Sequence, residues 1–84
     1  MKVLLTSDAE KQFLKLPNSE RTKIEKKLKL LMKNPLAGKK LAGEYADQRS
    51  LRAWPYRIIY IVSSASEQKI VTVIAILHRQ GAYK

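Results

Sequence analysis

The chain has 84 residues and no cysteine, and 17 basic against 7 acidic residues give it a formal net charge of +10. The length and a hydrophobic share of 45% predict one small folded domain, residues 1–84, and the charge predicts a polyanionic partner. Without cysteine, the chain can form neither a disulfide framework nor a thiol nucleophile. No apolar run approaches the roughly 20 residues of a membrane span, so we expect a cytoplasmic protein with no membrane partner.

The first residues predict a strand and a helix. Val3–Thr6 is typical of a short strand, and Ser7 with Glu10 three residues later is a capping-box pattern. This pattern starts a helix at Asp8. The apolar residues that recur at helical spacing along it form its buried stripe: Ala9, Phe13 and Leu16.

A second helix follows after Pro17 ends the first, with Asn18 placed to cap it. Its buried stripe repeats the same spacing: Ile24, Leu28 and Leu31. The lysines on its other sides are typical of a solvated face. Asn34-Pro35 ends the helix, and residues 35–46, with one proline and two glycines, are typical of a loop.

After this loop the period changes to two. Side chains alternate between two faces from Gln48 to Trp54, and Trp54-Pro55 ends the strand. Tyr56–Val62 is rich in β-branched and aromatic residues, and Ser63–Gln68 is a polar turn. Lys69–Leu77 is almost uniformly apolar, which favours a central strand covered on both faces.

The predicted fold class is therefore α+β, with the order β-α-α-β-β-β. The N-terminal strand joins a mostly antiparallel four-stranded sheet, and the two helices form an antiparallel hairpin packed on one face of that sheet. The other face is then free to bind a partner.

Arginines are concentrated in the second half of the chain, whereas the basic residues of the first half are nearly all lysine. Alternation places Arg52 and Arg57 away from their apolar neighbours and close together beside the Trp54-Pro55 turn, and Arg79 follows the last strand. Three converging guanidinium groups repel one another unless an anion joins them, so this cluster predicts a phosphate site.

Two segments resemble the RelE/ParE superfamily of type II toxins. Residues 51–60 (LRAWPYRIIY) resemble its arginine, turn and Tyr-Arg-apolar-apolar-Tyr signature, and residues 78–83 (HRQGAY) resemble its His-Arg-x-x-x-Tyr ending. The Leu-Pro break between the helices and the Leu41-Ala42-Gly43 loop are also similar, so the resemblance covers essentially the whole chain. It implies a RelE-like fold.

The resemblance also implies a function. RelE-like members cleave mRNA in the ribosomal A site, and a cognate antitoxin neutralises them; ParE-like members share the fold but inhibit DNA gyrase. We expect a metal-independent endoribonuclease without a cofactor, which inhibits translation and reaches operator DNA only through its antitoxin. In RelE-like enzymes the arginines and the tyrosine corresponding to Arg57, Arg79 and Tyr83 carry catalysis.

The sequence departs from the family where many ribosome-dependent members have lysines, at Gln48 and Ser50, and this removes the usual candidate for a general base. His78 is the candidate substitute, because its ordinary pKa near 6.5 suits acid–base work. The remaining candidate substrate contacts are Arg49, Arg52, Lys39, Lys40 and Trp54. Two alternatives stay open: a gyrase inhibitor without nuclease activity, and a weakened member that mainly binds antitoxin and operator DNA.

Overall fold

The computed structural model describes residues 2–41, 43, 47–65 and 68–78. Its elements, in chain order, are β1 (Lys2–Leu5), α1 (Ser7–Leu14), α2 (Asn18–Lys33), β2 (Lys39–Lys40), β3 (Gln48–Ala53), β4 (Tyr56–Ala65) and β5 (Gln68–His78). The α+β class is as predicted, and the element order differs from the predicted β-α-α-β-β-β only by the added strand β2. Within these residues no helix is long and apolar enough to span a membrane.

The described strands form one mixed sheet in the order β1-β5-β4-β3-β2. β1 runs parallel to β5, and the other neighbours are antiparallel. The sheet therefore has five strands rather than the predicted four, because Lys39–Lys40 pairs with β3 inside the segment that was predicted to be a loop. This pairing brings residues from the α2–β3 connection beside β3.

The core lies between the helices and one face of the sheet, and it contains the predicted helical stripes. Ala9, Ile24 and Leu31 are fully buried, and Phe13, Leu16 and Leu28 pack against them as partly buried residues. The strand residues of the core share one face of β3, β4 and β5: Leu51, Ala53, Ile58, Tyr60, Val71, Val73 and Ile76. Burying this apolar face drives the helices onto the sheet.

The caps of both helices differ from the prediction by one residue. α1 begins at Ser7, and its N-cap is Thr6, whose side-chain oxygen accepts a hydrogen bond from the Ala9 N–H at 3.2 Å. Thr6 is extended, as an N-cap must be, whereas Ser7 is already helical. α2 begins at Asn18 itself, after Pro17 as N-cap.

The hairpin between β4 and β5 is longer than predicted. β4 continues to Ala65 and β5 begins at Gln68, so the polar residues from Ser63 onward extend the strand. Backbone pairing with β5 continues through this polar segment. The segment was predicted to be a turn because it lacks the apolar residues typical of a strand. β5 lies inside the sheet between β1 and β4, as expected, but its buried residues alternate with half-exposed ones, so it is covered on one face only.

Candidate functional site

Arg52 and Arg57 face each other across the β3–β4 hairpin. They are direct partners in the antiparallel pairing, and the next pair along is Leu51 with Ile58, which belongs to the core. Because side chains alternate along a strand, the two arginines lie on the sheet face opposite the helices. Arg52 is exposed and Arg57 is half-buried. The predicted proximity of these two residues is therefore present in the structure.

Both arginines line an open cleft of about 430 Å³. Lys39 of β2 lines it too, since Lys39 pairs with Ser50 on β3, two residues before Arg52. The complete lining is Ala37, Lys39, Leu41, Ser50, Leu51, Arg52 and Arg57. The cleft thus combines three cations and a hydroxyl with an apolar wall, which suits a phosphodiester with its attached sugar and base.

Like charges set the electrostatics of this cleft. Side chains directly opposite each other in an antiparallel pair have their Cβ atoms about 5 Å apart, and like charges placed there destabilise a sheet by up to about 1 kcal/mol. An anion between Arg52 and Arg57 removes this repulsion and accepts charge-assisted hydrogen bonds from both guanidinium groups. The pair is therefore suited to contact an anion.

Tyr60 fixes the segment that leads into Lys39. Its ring is fully buried, and its hydroxyl donates to the Pro35 carbonyl at 2.9 Å and accepts from the Gly38 N–H at 2.8 Å. A Cβ on Gly38 would lie only 2.5 Å from the Tyr60 hydroxyl oxygen, so this position has no room for a side chain. One buried hydroxyl thus holds both ends of the four-residue turn 35–38.

Arg49 adds a third bond to the same turn. Its guanidinium donates to the Gly38 carbonyl at 3.0 Å, and Arg49 is the partner of Tyr60 in the β3–β4 pairing. Arg49 therefore lies on the helix-facing side of the sheet, away from Arg52 and Arg57. Lys40 is the β2 partner of Arg49 and is not among the residues that line the cleft. The structure does not bring these two candidate substrate contacts to the arginine pair.

Burial raises the pKa of the Tyr60 phenol above its ordinary value of 10.0, although the Gly38 hydrogen bond and the Arg49 charge act in the opposite direction. As the pH rises past 10, the unfolded chain loses this proton before the folded chain does, so folding loses stability. We expect the stability gap between the wild type and Tyr60→Phe to narrow there in urea titrations. The wild type and Tyr60→Phe share all their other titrating groups, so a difference in stability that stays constant above pH 10 would contradict the raised pKa of Tyr60.

The remaining described candidates lie near one end of the sheet. Trp54 is 58% exposed in the β3–β4 turn, which suits stacking on a base more than covering the core. His78 pairs with Tyr56, and the two rings meet edge to face with centroids 5.2 Å apart. Because Tyr56 packs against the core, this pairing places His78 on the helix-facing side of the sheet, whereas Arg57 lies on the other face. Arg79 and Tyr83 lie outside the described residues.

Lys39 is a substrate contact predicted from the sequence, but its place on β2 beside Arg52 was not predicted, and neither was the role of Tyr60. A two-residue strand has no periodicity to detect, and bonds from Tyr60 to positions 22 and 25 residues away leave no local pattern. For Arg49 a signal was present in the sequence: the alternation of β3 groups Arg49 with Leu51 and Ala53, which are buried.

A family model for the ParE toxin of type II toxin–antitoxin systems matches residues 3–83. A search of curated proteins finds no match. Among solved structures, the RelBE2 toxin–antitoxin complex from Mycobacterium tuberculosis has 29% identity, 93% coverage of this chain, 96% of that chain and a TM-score of 0.81. The isolated E. coli RelE toxin has 29% identity, 90% and 81% coverage and a TM-score of 0.72.

The YoeB/ParE toxin from Agrobacterium tumefaciens, at 22% identity, covers 93% of this chain and 98% of its own with a TM-score of 0.80, which shows a shared fold. The family match spans nearly all of the sequence, and the structural match to the RelBE2 complex covers 93% of this chain. The chain therefore belongs to the ParE toxin family and, with it, to the RelE/ParE superfamily of type II toxins.

Proposed function

We propose that this toxin is a metal-independent endoribonuclease that cleaves mRNA in the ribosomal A site and so inhibits translation. The observation that carries the proposal is the cleft in which Lys39, Arg52 and Arg57 meet beside an apolar wall. Its described lining contains no carboxylate or imidazole, so side-chain cations would meet the charge that builds on the scissile phosphate.

The proposed roles follow from position. Arg52 and Arg57 hold the phosphate from the two strands of one hairpin. Trp54, exposed at the tip of that hairpin, stacks on a neighbouring base. From the family resemblance, Arg79 completes the cation set and Tyr83 stacks on a base or transfers a proton. His78 remains a candidate base only if the substrate reaches around the end of the sheet.

The proposed partner is a cognate antitoxin, carried in the same organism and acidic enough to match a toxin of net charge +10. Relatives have been solved as such complexes, including RelBE2 from Mycobacterium tuberculosis and the archaeal RelE-RelB complex from Pyrococcus horikoshii. Operator DNA would be reached through this antitoxin, and the toxin would act in the cytoplasm.

A second candidate function is inhibition of DNA gyrase without nuclease activity. It is favoured by the family model itself, which is that of the ParE toxin. The arginine cleft favours the nuclease, because cations from two paired strands suit a phosphate whose charge builds during cleavage.

Induction of the toxin without its antitoxin separates the two functions. We expect new message ends at fixed positions within codons by primer extension, within minutes of induction and before any DNA-damage response. A DNA-damage response with intact messages would contradict the nuclease and support gyrase inhibition. Co-expression of the antitoxin is the control, and it should remove either effect.

A further inference from the structure

Lys39 has a position in the cleft that the resemblance does not assign to it. It stands on the edge strand β2 directly opposite Ser50 of β3. It lines the same cleft as Arg52 and Arg57. An ammonium group is therefore supplied to this part of the cleft from the neighbouring strand.

The cleft needs a group that can transfer a proton. Guanidinium groups hold a phosphate well but stay protonated in proteins, and a serine hydroxyl is a much weaker acid than an ammonium group. Among the described side chains that line the cleft, Lys39 is the one that combines a positive charge with a transferable proton. We infer that Lys39 is the general acid that protonates the leaving 5′-oxygen, an inference that rests on the proposed nuclease function.

The structure holds the Lys39 backbone on both sides. The Gly38 N–H and C=O are bound by Tyr60 and Arg49 at 2.8 and 3.0 Å, and the Leu41 N–H donates to the Gln48 carbonyl at 3.0 Å. The backbone is thus fixed before substrate binds, which lowers the entropic cost of aiming the side chain.

The step balances without a further reactant. The 2′-oxygen forms a bond to phosphorus and passes its proton to water, and the P–O5′ bond breaks with its electron pair on the 5′-oxygen. The Lys39 ammonium gives its proton to that oxygen, and solvent returns a proton to the amine. The products are a 2′,3′-cyclic phosphate and a 5′-hydroxyl end, and Arg52 and Arg57 stabilise the charge on the phosphoryl oxygens throughout.

The variant Lys39→Arg tests this role, because it keeps the positive charge but removes the transferable proton. Two ribosome-bound messages are compared under single-turnover conditions: one with the natural linkage at the cut site, and one with sulfur replacing the bridging 5′-oxygen. A thiolate leaves without protonation. We expect the variant to cut the natural linkage at least about 100-fold more slowly than the wild type, and the sulfur linkage at nearly the wild-type rate.

The matched control is Lys69→Arg, which makes the same change at the far end of the sheet, where Lys69 pairs with Ser64. It should cut both messages as the wild type does, and melting curves should show that both variants are folded. A Lys39→Arg protein that is equally slow on both messages, or as fast as the wild type on the natural one, would overturn the assignment and leave the nuclease function standing. A wild type that cuts neither message would overturn the nuclease function itself, and the role of Lys39 with it.

Discussion

Replacement of Arg57 by alanine is expected to slow message cleavage by a factor of about 10² to 10³, the usual effect of removing one preorganised donor from a developing anion. Cleavage rates of programmed ribosomes, measured at saturating toxin, give this number. The free energy of unfolding should change by less than about 1 kcal/mol, because Arg57 is half-buried on the sheet face opposite the core.

Arg52 should show the same behaviour, and the pair should not be additive. If both guanidinium groups hold one phosphate, the double variant loses less than the product of the two single losses. Arg21→Ala on α2 removes the same charge at a distance, where Arg21 donates to the side chain of Asn18, and it should cleave normally. An Arg57→Ala protein that unfolds would show a structural role, and one that cleaves at the wild-type rate would contradict the phosphate site.

Replacement of Tyr60 by phenylalanine is expected to have the largest effect on stability. It keeps the ring in the core but leaves the Pro35 carbonyl and the Gly38 N–H buried without their partner. Each such group costs about 1–3 kcal/mol, so the variant should lose about 2–6 kcal/mol. For a domain of this size that is a fall in melting temperature of about 10 °C or more.

Tyr56→Phe is the matched control for this change. Its ring packs near the core against His78, and among the described residues its hydroxyl makes no hydrogen bond like those of Tyr60. It should lose less than about 0.5 kcal/mol. Equal melting temperatures for the two variants would show that the Tyr60 hydroxyl does not anchor the turn.

The parts of the fold that the sequence predicted are those with local periodic patterns. Ala9, Ile24 and Leu31 repeat at helical spacing and are fully buried. Alternation in β3 and β4 placed Arg52 and Arg57 on one face, and the hairpin register then made them direct partners. Each of these features depends on the spacing of residues within a single helix, strand or hairpin, so it can be predicted from that segment of the sequence alone.

The parts that were missed depend on contacts between distant segments. Residues 39–40 become a strand only because β3 offers them a partner, and Tyr60 acts through a turn that precedes it by more than 20 residues. The assignment of Arg49 to the substrate gave its charge more weight than its alternation, which groups it with Leu51 and Ala53. Thr6 rather than Ser7 is the cap because Thr6 is the extended residue whose side-chain oxygen reaches the Ala9 N–H, a backbone geometry that the Ser7–Glu10 spacing does not reveal.

The two described glycines place different limits on how a cell can lose this toxin by mutation. At Gly38 an added Cβ would lie 2.5 Å from the Tyr60 hydroxyl oxygen, so we expect a substitution there to disturb the 35–38 turn and, with it, the position of Lys39. Gly43 has a φ of +69° but nothing within 4 Å of an added Cβ, so asparagine, which tolerates that conformation, leaves it intact. Mutations that abolish toxicity are therefore expected at Gly38 as well as at the arginines, although Gly38 has no side chain to contact a substrate.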